Sequence, residues 1–146
     1  MDIVLEQEAK VNSYSGKRAL VVDDNVGWRD TSAAVLRSLG MEVETASTLT
    51  QAKKLVDAEV FNVVLADVRL DEERRSDIAG IELLEFIKRR DSTAKVVLIT
   101  GHPEALIRVR AGKSFAPDGL LFKTQHGRSL SLSDLRSKIA SLLEPE

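Results

Sequence analysis

Five polar side chains of this sequence stand where short apolar runs end, and their types suit chemistry on a phosphoryl group. The runs end in Asp23 and Asp24, in Asp67, in Thr100 and in Lys123. Three clustered carboxylates resist ionisation unless a cation lies among them, and a ligand set made only of oxygen suits Mg²⁺. A carboxylate can be the nucleophile of phosphoryl transfer, while a metal ion and a lysine neutralise charge and a hydroxyl group hydrogen-bonds a phosphoryl oxygen.

This chemistry requires the five side chains to meet, and the apolar runs indicate how they would. Residues 19–22, 61–66, 96–99 and 120–122 form short, mostly unbroken runs rich in Val, Leu and Ile. Such runs are typical of strands buried on both faces of a parallel sheet. Residues 41–46 alternate between apolar and polar types, which predicts a strand with one wetter face at an edge of the sheet.

Amphipathic stretches separate these runs and predict five helices. The first four helices are predicted over residues 26–39, 49–58, 81–87 and 103 to about 110. Ser47 or Thr48 would cap the second of them. The fifth helix would begin at a cap, Ser131 or Ser133, and reach Leu142. The order is βα repeated five times, which predicts a doubly wound α/β sheet with helices on both faces. In such sheets the ligand lies beyond the carboxyl ends of the strands, where the five polar residues stand.

Length and composition narrow the class of protein. The chain has 146 residues, which fits one domain, predicted over residues 17–146 after a loosely packed extension at residues 1–16. It has no cysteine and two histidines, which excludes disulfides and argues against a zinc site. A net charge of −2 gives no case for direct nucleic-acid binding. No apolar run approaches the roughly 20 residues of a membrane span, and no signal peptide is visible, so we expect a cytoplasmic protein without a membrane partner.

Four stretches of this sequence resemble the signature segments of response-regulator receiver domains, the phosphorylation-switched domains of two-component systems. They are LVVDDN, VVLADV, VVLITGH and GLLFK, and the similarity extends roughly over residues 17–143. The resemblance implies a flavodoxin-like, five-stranded parallel sheet of order 2-1-3-4-5 with five helices.

The resemblance also implies a role for each matching site residue. Asp67 would be the phosphoacceptor and a Mg²⁺ ligand, with Asp24 a direct ligand and Asp23 acting through water. The backbone carbonyl of Arg69 would complete the protein ligands of the metal.

Two further roles follow from the same resemblance. Thr100 would be the switch hydroxyl that moves to the phosphoryl group, and Lys123 would pair with that group. The phosphoryl group would come from a phosphohistidine on a histidine kinase or phosphotransfer protein, and the domain itself would not be an enzyme.

Output is expected through a downstream protein partner. It would bind the face formed by predicted helix four, strand five and helix five, and a homodimer stays open. No room remains after Glu146 for an effector domain, so we expect a separate partner unless the chain is a fragment of a longer protein.

The sequence departs from the family's pattern at three places. Residues 67–80 are longer than usual and strongly charged, which favours a solvated loop over a flap beside the phosphoacceptor. Leu120 stands where the family has its switch aromatic, and Thr124 replaces a proline, which makes a cis peptide there unexpected. Trp28, the only tryptophan, would either pack on a helix face, the favoured interpretation, or cover the site.

Two other functions stay open beside the leading one. A receiver-like scaffold that binds its partner independently of phosphorylation would fit the changes at Leu120 and Thr124. A phosphatase with an aspartyl nucleophile would need Asp-x-Asp, but Asn25 and Arg69 occupy the second acidic position.

Overall fold

The computed structural model describes residues 14–70, 79–91, 93–101, 116–125 and 128–143. The strands of the main sheet are β1 (Arg18–Val22), β2 (Glu42–Ala46), β3 (Val63–Asp67), β4 (Lys95–Thr100) and β5 (Gly119–Phe122). The helices in this part of the chain are α1 (Val26–Ser38), α2 (Leu49–Ala58), α3 (Ala79–Arg90) and α4 (Leu132–Leu142). The helix predicted near residues 103–110 and most of the charged segment after Asp67 lie outside the described residues.

The five strands form one parallel sheet in the order β2-β1-β3-β4-β5. This order confirms the predicted flavodoxin-like α/β fold, and the alternating strand β2 lies at an edge as its pattern predicted. Strands β3 and β4 are almost wholly buried, as expected for unbroken apolar runs in the middle of a parallel sheet.

Helix starts agree with the capping residues read from the sequence. Thr48 accepts a hydrogen bond from the backbone N–H of Gln51 at the start of α2, and Ser131 does the same for Asp134 at the start of α4. At the start of α1, the side chain of Asn25 fills this role. Each cap satisfies a backbone donor that the first turn of a helix leaves without a partner.

The core has two layers, one on each face of the sheet. Successive strand residues point to opposite faces, so Leu20 and Val64 pack towards α2 and α3, whereas Val21 and Leu65 pack towards α1 and α4. Tyr14 is buried in the second layer, so the prediction of loose packing before residue 17 is wrong for this residue.

A short antiparallel hairpin that the sequence did not suggest follows the main sheet. It pairs β6 (Thr124–Gln125) with β7 (Arg128–Ser129). After it, the N–H of Leu130 donates to the carbonyl of Lys123 at 2.8 Å, so the chain returns to the end of β5 before α4 begins. The bond between Lys123 and Thr124 is trans, as are all described peptide bonds. Within the described ranges, no helix has the length and apolar character to cross a membrane.

Candidate functional site

The carboxyl edge of the sheet carries the residues singled out from the sequence. Asp67 and Thr100 are the last residues of β3 and β4, and Asp23 and Lys123 directly follow β1 and β5. Backbone hydrogen bonds continue past the strand ends: the N–H of Asp23 donates to Ala46 at 3.1 Å, and that of Lys123 donates to Thr100 at 2.8 Å. The backbone around each side chain is therefore held by the sheet itself.

Three carboxylates converge at this edge. One oxygen each from Asp23, Asp24 and Asp67 can be chosen so that all three lie within 4.8 Å of one another. Asp23 and Asp67 are only 3% and 6% exposed, whereas Asp24 is half-buried. The cluster thus has two deep acids and one nearer to solvent.

Lys123 lies against two of the three acids. Its Nζ is 2.8 Å from Oδ2 of Asp67 and 3.1 Å from Oδ2 of Asp23. Its side chain is 14% exposed. One ammonium group therefore faces two buried carboxylates directly.

Local backbone N–H groups orient both deep carboxylates. Asp67 Oδ1 accepts a hydrogen bond from the N–H of Arg69 at 3.1 Å, and Asp23 Oδ1 accepts one from the N–H of Asn25 at 2.9 Å. For Asp67, one oxygen binds the backbone and the other binds Lys123. Such contacts fix the carboxylate planes before any ligand enters.

The electrostatics of the site disfavour the charged form of Asp67. Burial raises the pKa of Asp67 to about 6, because the hydrogen bond and the charge of Lys123 offset desolvation only in part and Asp23 adds repulsion. Burial also disfavours the charged form of Lys123, but the hydrogen bonds and charges of Asp67 and Asp23 outweigh it and raise the lysine pKa. Among the described residues, Lys123 contacts both deep carboxylates at once, and a further cation at the cluster would weaken the repulsion between Asp67 and Asp23.

A hard divalent cation fits this donor set. Clustered carboxylate oxygens from three residues are the ligands Mg²⁺ takes in proteins, usually with several waters retained. Arg69, expected to add its backbone carbonyl, lies two residues after Asp67 and is tied to it through its own N–H. Its carbonyl role stays a prediction.

Thr100 is fully buried at the end of β4. It pairs in register with Phe122, and its carbonyl accepts the N–H of Lys123. Thr100 is thus fixed next to the lysine along the sheet edge, and its role as switch hydroxyl also stays a prediction.

The sequence did not identify Gly80 as part of the site region, and its pattern favoured helix packing over a site role for Trp28. Gly80 lies at the start of α3, and a Cβ there would overlap the carbonyl oxygen of Asp67. A glycine in the first turn of a helix was the available signal. Trp28 is half-buried and packs on the second core layer, as favoured, but its ring centroid is also 5.3 Å from Nζ of Lys123.

The fold and the site define a class: a flavodoxin-like α/β domain in which the described residues bring three carboxylates and a lysine together at the carboxyl edge of the sheet. The sequence profile of the response regulator receiver domain matches residues 19–132. The chain therefore belongs to the response regulator receiver domain family.

Individual relatives agree with this assignment. The response regulator protein PilR of Pseudomonas aeruginosa is 28% identical over 132 residues, which are 90% of this chain and 28% of PilR. The transcriptional regulatory protein ZraR of Klebsiella oxytoca is 35% identical over 102 residues, which are 70% of this chain and 22% of ZraR. This chain thus corresponds to between a fifth and a third of the length of these relatives.

A solved structure shows the same architecture. The response regulator protein TrrA of Thermotoga maritima, in complex with Mg²⁺ and BeF, superposes with a TM-score of 0.70 at 26% identity. The match covers 87% of this chain and 99% of the TrrA chain.

Proposed function

We propose that this domain is a signalling receiver that takes a phosphoryl group onto Asp67 from a phosphohistidine of a histidine kinase or phosphotransfer protein. The observation that carries the proposal is the contact of Asp67 Oδ2 with Lys123 Nζ at 2.8 Å, inside a pocket that holds two more carboxylates. The domain passes a signal and has no turnover chemistry of its own, so we do not class it as an enzyme.

Mg²⁺ would be held by Asp24, Asp67 and the backbone carbonyl of Arg69, with Asp23 acting through water. The bound ion supplies positive charge that offsets both the acid cluster and the incoming phosphoryl oxygens. The complex of TrrA with Mg²⁺ and BeF supports this choice of metal for a related domain.

The transfer uses groups of the chain that are already in place. A carboxylate oxygen of Asp67 attacks phosphorus, a P–O bond forms, and the P–N bond breaks with its electron pair going to the imidazole nitrogen. Lys123, which holds Asp67 and Asp23 before transfer, then pairs with a phosphoryl oxygen. Thr100, the last residue of β4, donates its hydroxyl hydrogen to another phosphoryl oxygen and so couples the site to the neighbouring face.

The proposed output is a change of partner binding at a face that includes β5 and α4, the helix predicted as the fifth from the sequence. Phosphorylation biases an equilibrium between two arrangements, and a partner that prefers one of them reads the change. A groove of about 640 Å³ lies on this face, lined among others by Leu120, Phe122, Leu130 and Lys138. The proposed occupant of this face is a separate protein, and a second copy of this chain is the alternative occupant. The proposed location of the protein is the cytoplasm.

Phosphorylation by acetyl phosphate tests the acceptor role directly. We expect the purified domain to incorporate phosphate when Mg²⁺ is present and to lose this on chelation. Asp67→Asn removes the nucleophile, and uptake should fall below detection.

The matched control is Asp57→Asn, which makes the same change at an acid of α2 whose side chain is 57% exposed. It should leave incorporation unchanged. Uptake by Asp67→Asn, or none by the parent domain with Mg²⁺, would overturn the proposal. Partner binding that ignores Asp67→Asn and Mg²⁺ would instead favour the phosphorylation-independent scaffold.

A further inference from the structure

Trp28 belongs to the same short segment as two of the site acids. It lies in the first turn of α1, and its backbone N–H donates to Oδ1 of Asn25 at 2.9 Å. Asn25 in turn follows Asp23 and Asp24 directly. The cap that starts the helix therefore also fixes the position of the tryptophan relative to the acid cluster.

The indole ring lies beside the site lysine. Its centroid is 5.3 Å from Nζ of Lys123, within the range at which an ammonium group is attracted to an aromatic ring, and tryptophan is the strongest such partner. An ammonium group has three N–H bonds. The carboxylates of Asp67 and Asp23 accept from Nζ, so the ring stands as a third, uncharged neighbour.

A flexible side chain explains why such a neighbour would matter. Lysine carries its charge on a four-carbon stem with many rotamers, and holding it in one of them costs conformational entropy. Because the side chain of Lys123 is 14% exposed, its charge is largely desolvated, and ring contacts are stronger under that condition.

We propose that Trp28 is a positioning residue of the phosphoacceptor site, whose ring confines the ammonium group of Lys123 to the Asp67 side of the pocket. The inference rests on the proposed function of Asp67. It adds a residue outside the acid, hydroxyl and lysine set, and it assigns to the single tryptophan a role beyond helix packing.

The test compares rates of phosphorylation by acetyl phosphate at saturating Mg²⁺. Trp28→Leu keeps an apolar side chain but removes the ring, and we expect a rate about fivefold lower, the size of an average cation–π contact. Trp28→Phe keeps a weaker ring and should lose only about twofold. Val26→Ala, at an exposed position of the same turn, is the matched control and should leave the rate unchanged.

Two further readouts separate positioning from general damage. The Mg²⁺ dissociation constant should be the same in Trp28→Leu as in the parent. In NMR spectra, the ε-methylene protons of Lys123 should be shifted upfield by the ring in the parent and in Trp28→Phe, but not in Trp28→Leu. If Trp28→Leu does not fold, the comparison uses the parent and Trp28→Phe, with the same two measurements: the shift of the Lys123 protons and the rate of phosphorylation.

Each contrary result overturns the inference. These results are an unchanged phosphorylation rate in Trp28→Leu, equal losses of rate in Trp28→Leu and Trp28→Phe, a parallel loss of Mg²⁺ affinity in Trp28→Leu, or unshifted protons of Lys123 in the parent. Failure of the proposed function looks different, because the parent domain itself would then take up no phosphate.

Discussion

Both ends of the sheet hold a half-buried lysine against an aspartate, but the surroundings of the two pairs differ. At the amino end, Lys88 of α3 contacts Asp118, which precedes β5, at 2.7 Å. At the carboxyl end, Lys123 contacts Asp67 at 2.8 Å and Asp23 at 3.1 Å, with Asp24 nearby. The pairs have nearly the same length, so the difference lies in what surrounds them.

The amino-end pair is complete. Lys88 Nζ also donates to the carbonyl of Ala94 at 2.6 Å, and Asp118 Oδ2 also accepts from the N–H of Val96 at 2.8 Å. Burial works against the charge of Asp118, but the bonds from Lys88 and Val96 outweigh it and hold the pKa of Asp118 below its usual value. One positive and one negative group satisfy each other, and the pair ties α3 to the starts of β4 and β5.

At the carboxyl end, Lys123 does not offset the cost of burying the charge of Asp67. Burial and the neighbouring Asp23 outweigh Lys123 at Asp67, and the pKa of that acid rises to about 6. Similar residue types therefore satisfy each other at one end, whereas at the other end two buried carboxylates contact the same ammonium group. A lysine–aspartate pair whose acid has a raised pKa is therefore a better indicator of a functional site than a pair whose acid has a lowered one.

The largest expected effect concerns the amino end. Lys88→Met leaves the half-buried Asp118 without the ammonium group that it contacts and removes the Lys88 donor from the carbonyl of Ala94. Because water partly screens this pair, removing one partner should lower the free energy of unfolding by about 2–3 kcal/mol, less than for a fully buried pair.

Urea denaturation measures this loss, with Lys54→Met at an exposed position of α2 as the control. At temperatures where Lys88→Met is folded, its rate of phosphorylation should match that of the parent. A stable Lys88→Met protein would show that the amino-end pair does not hold the fold.

At the carboxyl end of the sheet, Asp67→Asn is expected to increase the stability of the fold. Because the pKa of Asp67 is raised in the folded protein, the stability that comes from its neutral form is complete below about pH 4 and is lost as the pH rises through about 6. Above that window, without metal, Asp67→Asn should raise the free energy of unfolding by about 2 kcal/mol.

Urea denaturation in the presence of a chelator, at about pH 5 and about pH 8, checks this sign. The gap between variant and parent should widen with pH. An Asp67→Asn protein that is less stable than the parent at about pH 8 would contradict the raised pKa of Asp67.

A smaller effect is expected for metal affinity. Protons compete with Mg²⁺ for Asp67 once the pH falls below its pKa of about 6. The apparent dissociation constant for Mg²⁺ should therefore rise about tenfold between about pH 7.5 and about pH 5. Calorimetric titration measures it, and an affinity that does not change over this range would show that Asp67 is not a ligand.

Local patterns explain what the sequence revealed. Unbroken apolar runs located β1, β3, β4 and β5, and the polar residues that end them lie at one edge because parallel strands share their direction. Capping side chains located the starts of α2 and α4 at Thr48 and Ser131. The four sequence segments carried the family assignment, which the sequence profile confirms.

Contacts between distant residues account for what the sequence did not reveal. Nothing in the spacing of Lys88 and Asp118, 30 residues apart, predicts their pairing. The approach of Gly80 to Asp67 and that of Trp28 to Lys123 depend on how helices settle on the sheet. The short hairpin after Lys123 has too few residues for a pattern.

The most direct test of the central claim is chemical mapping of the phosphorylated residue. The domain is incubated with acetyl phosphate and Mg²⁺, reduced with borohydride, which converts an aspartyl phosphate to homoserine, and digested for mass spectrometry. We predict homoserine at position 67 alone, dependent on Mg²⁺. Homoserine at position 23 or 24, or none at any aspartate of a domain that binds Mg²⁺, would contradict the account.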